Sequence, residues 1–163
     1  MSTIRPLLAS FLVAAALSGC AGGPSAEDMQ KGVESAMSAK DYAGAVAKAD
    51  EALKNEAISK DPAQAWRFES MRLNALADSG KGADVVGSLG RLAMTFEKQT
   101  TASLYRSLAD KLRLAGDGTG ANDVLVAGDK RFPGDASFKE AIEALNASAD
   151  PAEVERLKAL GYL

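Results

Sequence analysis

Cys20 is the only cysteine of the 163-residue chain, and the chain has no histidine. Those two counts decide most of the chemistry open to it. Ser-His-Asp and Cys-His catalysis and histidine–metal sites are excluded for want of an imidazole. No disulfide can form within the chain, so its fold rests on its core alone. A lone thiol in an exported protein is a reactive leftover unless something consumes it. Carboxylates remain. Glu140 with Glu143, and Glu153 with Glu155, form close pairs in sequence, but nothing apolar surrounds them to raise a pKa, so they read as solvated surface. The segment Asp117-Gly118-Thr119-Gly120-Ala121-Asn122-Asp123 has the composition of a ligand loop. An EF-hand needs oxygen ligands at alternate positions and a glutamate at the twelfth; here Gly118 and Gly120 intervene and Gly128 is the twelfth residue. A phosphate cradle would need Gly-Lys-Ser/Thr after a strand. Asp117–Gly120 is therefore expected to be an inter-helix turn, and no cofactor or metal is expected.

The surroundings of Cys20 say what consumes its thiol. Met1 to Pro6 is short and polar with one cation, Arg5, and Leu7 to Leu17 is apolar apart from Ser10. A charged start, an apolar stretch of roughly 7–15 residues and a small-residue cleavage zone describe a secretory signal. A membrane span would need about 20 apolar residues. Leu17-Ser18-Gly19-Cys20 resembles the lipobox of bacterial lipoproteins. The resemblance implies diacylglyceryl transfer to the Cys20 sulfur, cleavage before Cys20, loss of residues 1–19 and acylation of the freed amine. Two or more acyl chains suffice for stable anchoring. Ala21, rather than Asp, follows the cysteine, which by the same resemblance favours the outer membrane. Residues 20–26 read as a flexible tether that reaches about 20 Å from the bilayer.

Removing residues 1–19 takes away one cation, Arg5, and moves the formal charge from -3 to -4. That balance argues against nucleic acid and against electrostatic docking on anionic lipid. Ala and Leu dominate while Ile and Thr are few, and no strand-like alternation of useful length occurs, so an all-α fold is expected.

Punctuation residues divide the rest into helices. Asp41 is placed to cap a helix from Tyr42 to about Asn55, after a first helix from about Glu27 to Lys40. Asp61-Pro62 supplies a cap and a first-turn proline for a third helix that Gly80 ends. Gly82–Lys98 is a fourth. Thr100 or Thr101 caps a fifth that ends at Gly116, and a sixth reaches Arg131 before Phe132-Pro133-Gly134. Asp135 caps a seventh to about Ala147. Asp150-Pro151 with Glu153 opens a short last helix ending at Gly161.

The order of these helices contains a repeat. Asp41-Tyr42-Ala43-Gly44-Ala45-Val46, with Ala49, Ala52 and Leu53 behind it, resembles the second half of a tetratricopeptide repeat (TPR). Tyr105-x2-Leu108-Ala109-x2-Leu112, followed by Gly116-Asp117, Ala121, Leu125, Gly128 and Pro133, fills nearly every position of that pattern. Trp66-x2-Glu69-Ser70-x2-Leu73 is a weaker copy, with Glu69 where leucine is usual. The separations from Asp41 to Lys81 and from Lys81 to Asp117 are 40 and 36 residues, against about 34 in the family. Small residues such as Ala45, Ala109 and Gly128 let paired helices approach, and large ones such as Trp66, Leu108 and Leu125 fill the groove beside them. Of Trp66 and Phe68, which cannot share a helix face, one is expected in the core.

The resemblance implies a solenoid of about three hairpins within residues 27–147, a capping helix at its end, and a docking helix over residues 148–163 that packs through Leu157, Leu160 and Tyr162. In such repeats the first helix of each hairpin lines a concave face. Arg106, Asp110 and Arg113 lie at i, i+4 and i+7 on such a helix. They are expected either to take a partner's carboxylate or to form a solvated face on which Asp110 bridges two arginines, with Arg67, Ser70 and Asn74 as neighbours. The function implied is a membrane-anchored, periplasm-facing scaffold or envelope assembly factor without catalysis. Its partner would be another envelope protein or peptide; a small ligand or peptidoglycan fragment is the alternative occupant.

Overall fold

The computed structural model describes residues 23–147, 151–159 and 161, and of Glu153 and Leu157 the backbone only. Cys20, Leu17, Ser18, Gly19, Leu160 and Tyr162 lie outside the described residues, as does the Leu157 side chain. The described residues are mostly helical, with no strand among them. The elements are α1 (Ala26–Ser38), α2 (Tyr42–Lys54), α3 (Glu56–Ser59), α4 (Pro62–Asp78), α5 (Gly82–Thr95), α6 (Ala102–Leu114), α7 (Gly118–Arg131), α8 (Ala136–Asn146) and α9 (Pro151–Ala159).

Most boundaries follow from single capping residues. Asp41, Asp61, Thr101 and Asp135 each accept a backbone N–H of the helix they precede, which satisfies a donor that has no partner inside the helix. Three departures have local causes. Helix α1 starts at Ala26, inside the expected tether, because Ser25 and Asp28 form a reciprocal capping box. Helix α3 was unexpected; Asn55 caps it and Ile58 anchors it, 2 % exposed. Gly118 and Gly120 belong to the first turn of α7 rather than to the inter-helix turn, because Asp117 caps α7 by accepting the Gly120 N–H at 2.8 Å.

One turn recurs three times. At the end of α1, Lys40 N–H donates to the Met37 carbonyl and Asp41 N–H to the Ala36 carbonyl. Gly80 and Lys81 repeat these bonds on Ala77 and Leu76, and Gly116 and Asp117 repeat them on Arg113 and Leu112. The first residue of each pair has positive φ: 58° at Lys40, 69° at Gly80 and 87° at Gly116. This is the left-handed helix ending that glycine favours, and at Lys40 the chain makes it with an ordinary side chain.

Each turn reverses the chain or redirects it onto an earlier helix. Helix α1 packs on α2, α2 on α4, α4 on α5 and α6, α5 on α7, α6 on α7, and α7 on α8. Two apolar clusters result. The first is built around Val33, Ala45, Ala49, Ile58 and Phe68, and the second around Leu73, Leu89, Leu92, Leu108, Leu112, Leu125 and Phe138. Phe68 is the core member of its pair, whereas Trp66 is half-buried with its ring 5.5 Å from that of Phe96. Helix α4 is buried around much of its circumference because it contacts α1, α2, α3, α5 and α6. That environment explains Glu69. It is buried on α4 and its two carboxylate oxygens accept from Arg91 of α5 at 2.6 and 3.2 Å.

Candidate functional site

Helices α6 and α8 both pack on α7 and leave a groove between them of about 400 Å³. Its floor is apolar and mostly small: Ala109 of α6, Leu125 of α7, and Ala141, Ala144 and Leu145 of α8. Arg106, Asp110 and Arg113 line the same groove from α6. The i, i+4, i+7 spacing puts them in one row, while Tyr105, Leu108 and Leu112 turn the other side of α6 into the core. The repeated turn at Gly116 sets the angle at which α7 returns beneath them.

Three residues expected together are therefore together, but they are not equivalent. Arg106 is half-buried and committed to α8: its Nη1 donates to Ser137 Oγ, and its guanidinium lies 5.9 Å from the centre of the Phe138 ring. Ser137 is held in turn by Asp135, to which its hydroxyl and its N–H both donate. The hydroxyl hydrogen bond holds the Asp135 carboxyl below its ordinary value of 3.8. Asp110 and Arg113 are exposed, and neither forms an ion pair among the described residues. Asp110 thus does not bridge the two arginines, because Arg106 has a better-enclosed partner on α8.

Arg67 and Asn74 are placed elsewhere. Arg67 donates to Gln30 of α1 at 2.7 Å, and Asn74 donates to the Ser70 carbonyl of its own helix at 2.8 Å. Neither lines the groove. They sit on α4, where Glu69 faces Arg91 of α5 and Arg67 faces Gln30 of α1.

Two polar arrangements went unread in sequence. Arg72 of α4 donates to Asp50 of α2 at 2.6 Å and to Ser88 of α5 at 2.9 Å, beside the Glu69–Arg91 pair. The Glu69 hydrogen bonds hold the Arg91 pKa above its ordinary value. The second is Asp117, whose other carboxylate oxygen accepts the Gly82 N–H of α5 at 2.9 Å. Lys81 offers α5 no side-chain cap, so Asp117 caps two helices at once. The available signal was the missing cap at Lys81 and the excess of glycine at 118–120.

Tyr105 stacks edge-on against Phe132, which lies parallel to Phe138, and burial pushes the Tyr105 hydroxyl pKa up. This aromatic row backs the groove at the Arg106 end. Gly128 of α7 makes room for it, since a Cβ there would overlap the Phe138 ring. At the other end of the chain, Arg156 of α9 pairs with Asp123 of α7 at 2.9 Å. No group of three or more metal-ligating side chains occurs among the described residues, and no described helix is long and apolar enough to cross a membrane. No family model, curated protein or solved structure matches the chain.

Proposed function

We propose that this chain is a lipid-anchored envelope lipoprotein whose TPR-like helical domain binds another protein on the periplasmic side of the membrane, without catalysis of its own. The anchor reading rests on Leu17-Ser18-Gly19-Cys20 behind an export-type apolar stretch. The repeat reading is supported by the turn that recurs at Lys40, Gly80 and Gly116, and by the order in which α1/α2, α4/α5 and α6/α7 stack with α8 behind them. Fold analogy alone carries no function. The single observation that carries the binding role is the groove between α6 and α8, where an apolar floor is flanked by the exposed Asp110 and Arg113, which form no ion pair among the described residues. Helix-in-groove recognition uses this combination, with the floor supplying affinity and the charges register. The anchor and short tether keep whatever binds close to the bilayer.

Crosslinking of native membranes followed by mass spectrometry tests the reading. One envelope protein should be recovered repeatedly, with crosslinks to α6 and α8. Repeated recovery of no partner, or crosslinks confined to other faces, removes it. The anchor has its own test: Cys20→Ala should release the protein from membranes with its helical spectrum intact, and sedimentation of that variant with protein-free vesicles would overturn the lipid assignment.

A second reading is favoured by the groove's size, since about 400 Å³ falls within the roughly 300–1,000 Å³ of small-molecule sites. In that case an amphipathic small ligand or a peptidoglycan fragment occupies it. A thermal shift with muropeptides, absent with proteins crosslinked in membranes, would favour it.

A further inference from the structure

The N-termini of α1 and α4 and the C-termini of α5 and α7 meet at one end of the stack. Arg67 donates to Gln30 at 2.7 Å, which sets the first turns of α4 and α1 side by side. The Trp66 ring lies 5.5 Å from that of Phe96, which caps the C-terminus of α5. Arg131, the last residue of α7, donates to the Ala93 carbonyl in the last turn of α5 at 3.2 Å. The turns at Lys40, Gly80 and Gly116 close the opposite end, about 20 Å away, the length of the 13-residue α6. Two large apolar side chains stand exposed among the described residues, and they fall on different ends. Met94, 88 % exposed, is in the last turn of α5, two residues before Phe96. Leu114, 77 % exposed, is the last residue of α6 and lies at the opposite end.

We infer that the end carrying Met94, Trp66 and Phe96 rests on the phospholipid bilayer, so that the helices stand on the membrane with their recurrent turns pointing away from it. The inference rests on the lipid-anchor reading of Cys20. Its basis is where the chain enters the fold. Helix α1 begins at Ala26 behind its Ser25 cap, so Cys20 lies five residues before that cap and no more than about 18 Å from it. This entry is at the Met94 end, beside the first turns of α4. A bilayer that holds acyl chains at Cys20 can therefore touch this end with the tether slack, whereas Leu114 stands a helix length further off. Burial of exposed apolar surface favours the contact, and a tryptophan suits a boundary that is apolar on one side and wet on the other. Charges of both signs stand at this end, among them the Glu27–Lys31 and Glu56–Lys60 pairs, so the contact is apolar rather than electrostatic. One methionine and the edges of two rings are too little to hold the protein on lipid by themselves. The anchor supplies the affinity, and these side chains set which end faces the membrane. The groove between α6 and α8 then runs upright from the bilayer surface.

Trp66 is the only tryptophan of the chain, so its emission reports on this end directly. The test places the full lipidated protein in phosphatidylcholine vesicles, either plain or brominated near the glycerol end of the acyl chains, and measures sedimentation on the same samples. Trp66 should lose emission in the brominated vesicles. Met94→Trp in a Trp66→Phe background should lose about half of its emission, as expected at the depth of an interfacial contact. Leu114→Trp in the same background should be unaffected. Met94 and Leu114 are both exposed, so neither change disturbs the core. If the protein sediments with vesicles but positions 66 and 94 are not quenched, or if position 114 is quenched as strongly, the anchor stands and the end-on contact is overturned. If the lipidated protein does not sediment, the anchor reading falls and the contact falls with it. A photocrosslinker at position 94 that captures a protein instead of lipid in native membranes would assign this end to a protein partner and equally overturn the inference.

Discussion

The helices of this protein are joined in two different ways, and the joints differ in what they tolerate. Between α2, α4 and α5 long charged side chains reach across the apolar contact: Arg72 spans from Asp50 to Ser88, and Arg91 reaches back to Glu69. Between α5 and α7 the contact is backbone on backbone. Gly82 and Gly120 face each other so closely that a Cβ on either would overlap the other's Cα, and Asp117 ties both backbones with one carboxylate. The charged bridges of the first joint can adjust by rotating side-chain torsions. The second has no such freedom, because moving the backbone moves a whole helix with its packed face.

The sharpest way to break the comparison is Gly120→Ala. In an unconstrained helix this change stabilises by about 1 kcal/mol through propensity. Here the added carbon meets the Gly82 Cα and the Asp117 carboxylate, so a net loss of about 3 kcal/mol is expected from overpacking and a displaced cap. Thermal unfolding followed by helical circular dichroism reads it, and an unchanged or raised midpoint would show that the crossing is looser than described.

At the charged joint the two partners should respond unequally. The Glu69 side chain is 8 % exposed and that of Arg91 55 %. Arg91→Ala strands a buried carboxylate and should cost about 2 kcal/mol, below the cost of breaking a fully buried pair because Arg91 is half in water. Glu69→Leu removes the buried charge and lets Arg91 turn outward, so its effect should stay within about 1 kcal/mol. Equal losses in denaturant titrations would show that the pair acts as a unit and not through the stranded charge.

Glycines outside the crossing supply the converse. Gly87 and Gly90 lie mid-helix in α5 with nothing near an added Cβ. Alanine at either should raise stability by about 0.7 kcal/mol. Destabilisation at these positions would mean that the outer face of α5 is occupied.

The smallest effect is expected in acid. Hydrogen bonds from Ser25 and Ser137 hold the Asp28 and Asp135 carboxyls below 3.8 in the folded protein. A depressed folded pKa contributes stability above the unfolded value and loses it as pH falls through the folded value. Midpoints should therefore decline as pH drops below about 4, and Asp135→Asn should flatten part of that decline. An Asn variant with an unaltered acid limb would remove the cap's share.

How much could be read in advance depends on distance along the chain. Asp41, Asp61-Pro62, Thr101 and Asp135 could be assigned as helix starts, and Gly80 and Gly116 as ends, because a cap is satisfied within one turn of its own helix. The shared face of Arg106, Asp110 and Arg113 was legible for the same reason. Helix α3 was missed because four residues carry too little periodicity to register. Sequence by itself thus determined the all-helical character, the order of the longer helices and the side of α6 that faces outward. Tertiary structure alone decided which charges remain unpaired. Arg67 turns to Gln30, Arg106 to Ser137, Glu69 to Arg91 and Asp117 to Gly82. Those partners lie 22 to 37 residues away, where no helical period reaches and only the packing of one helix on another brings a donor to its acceptor.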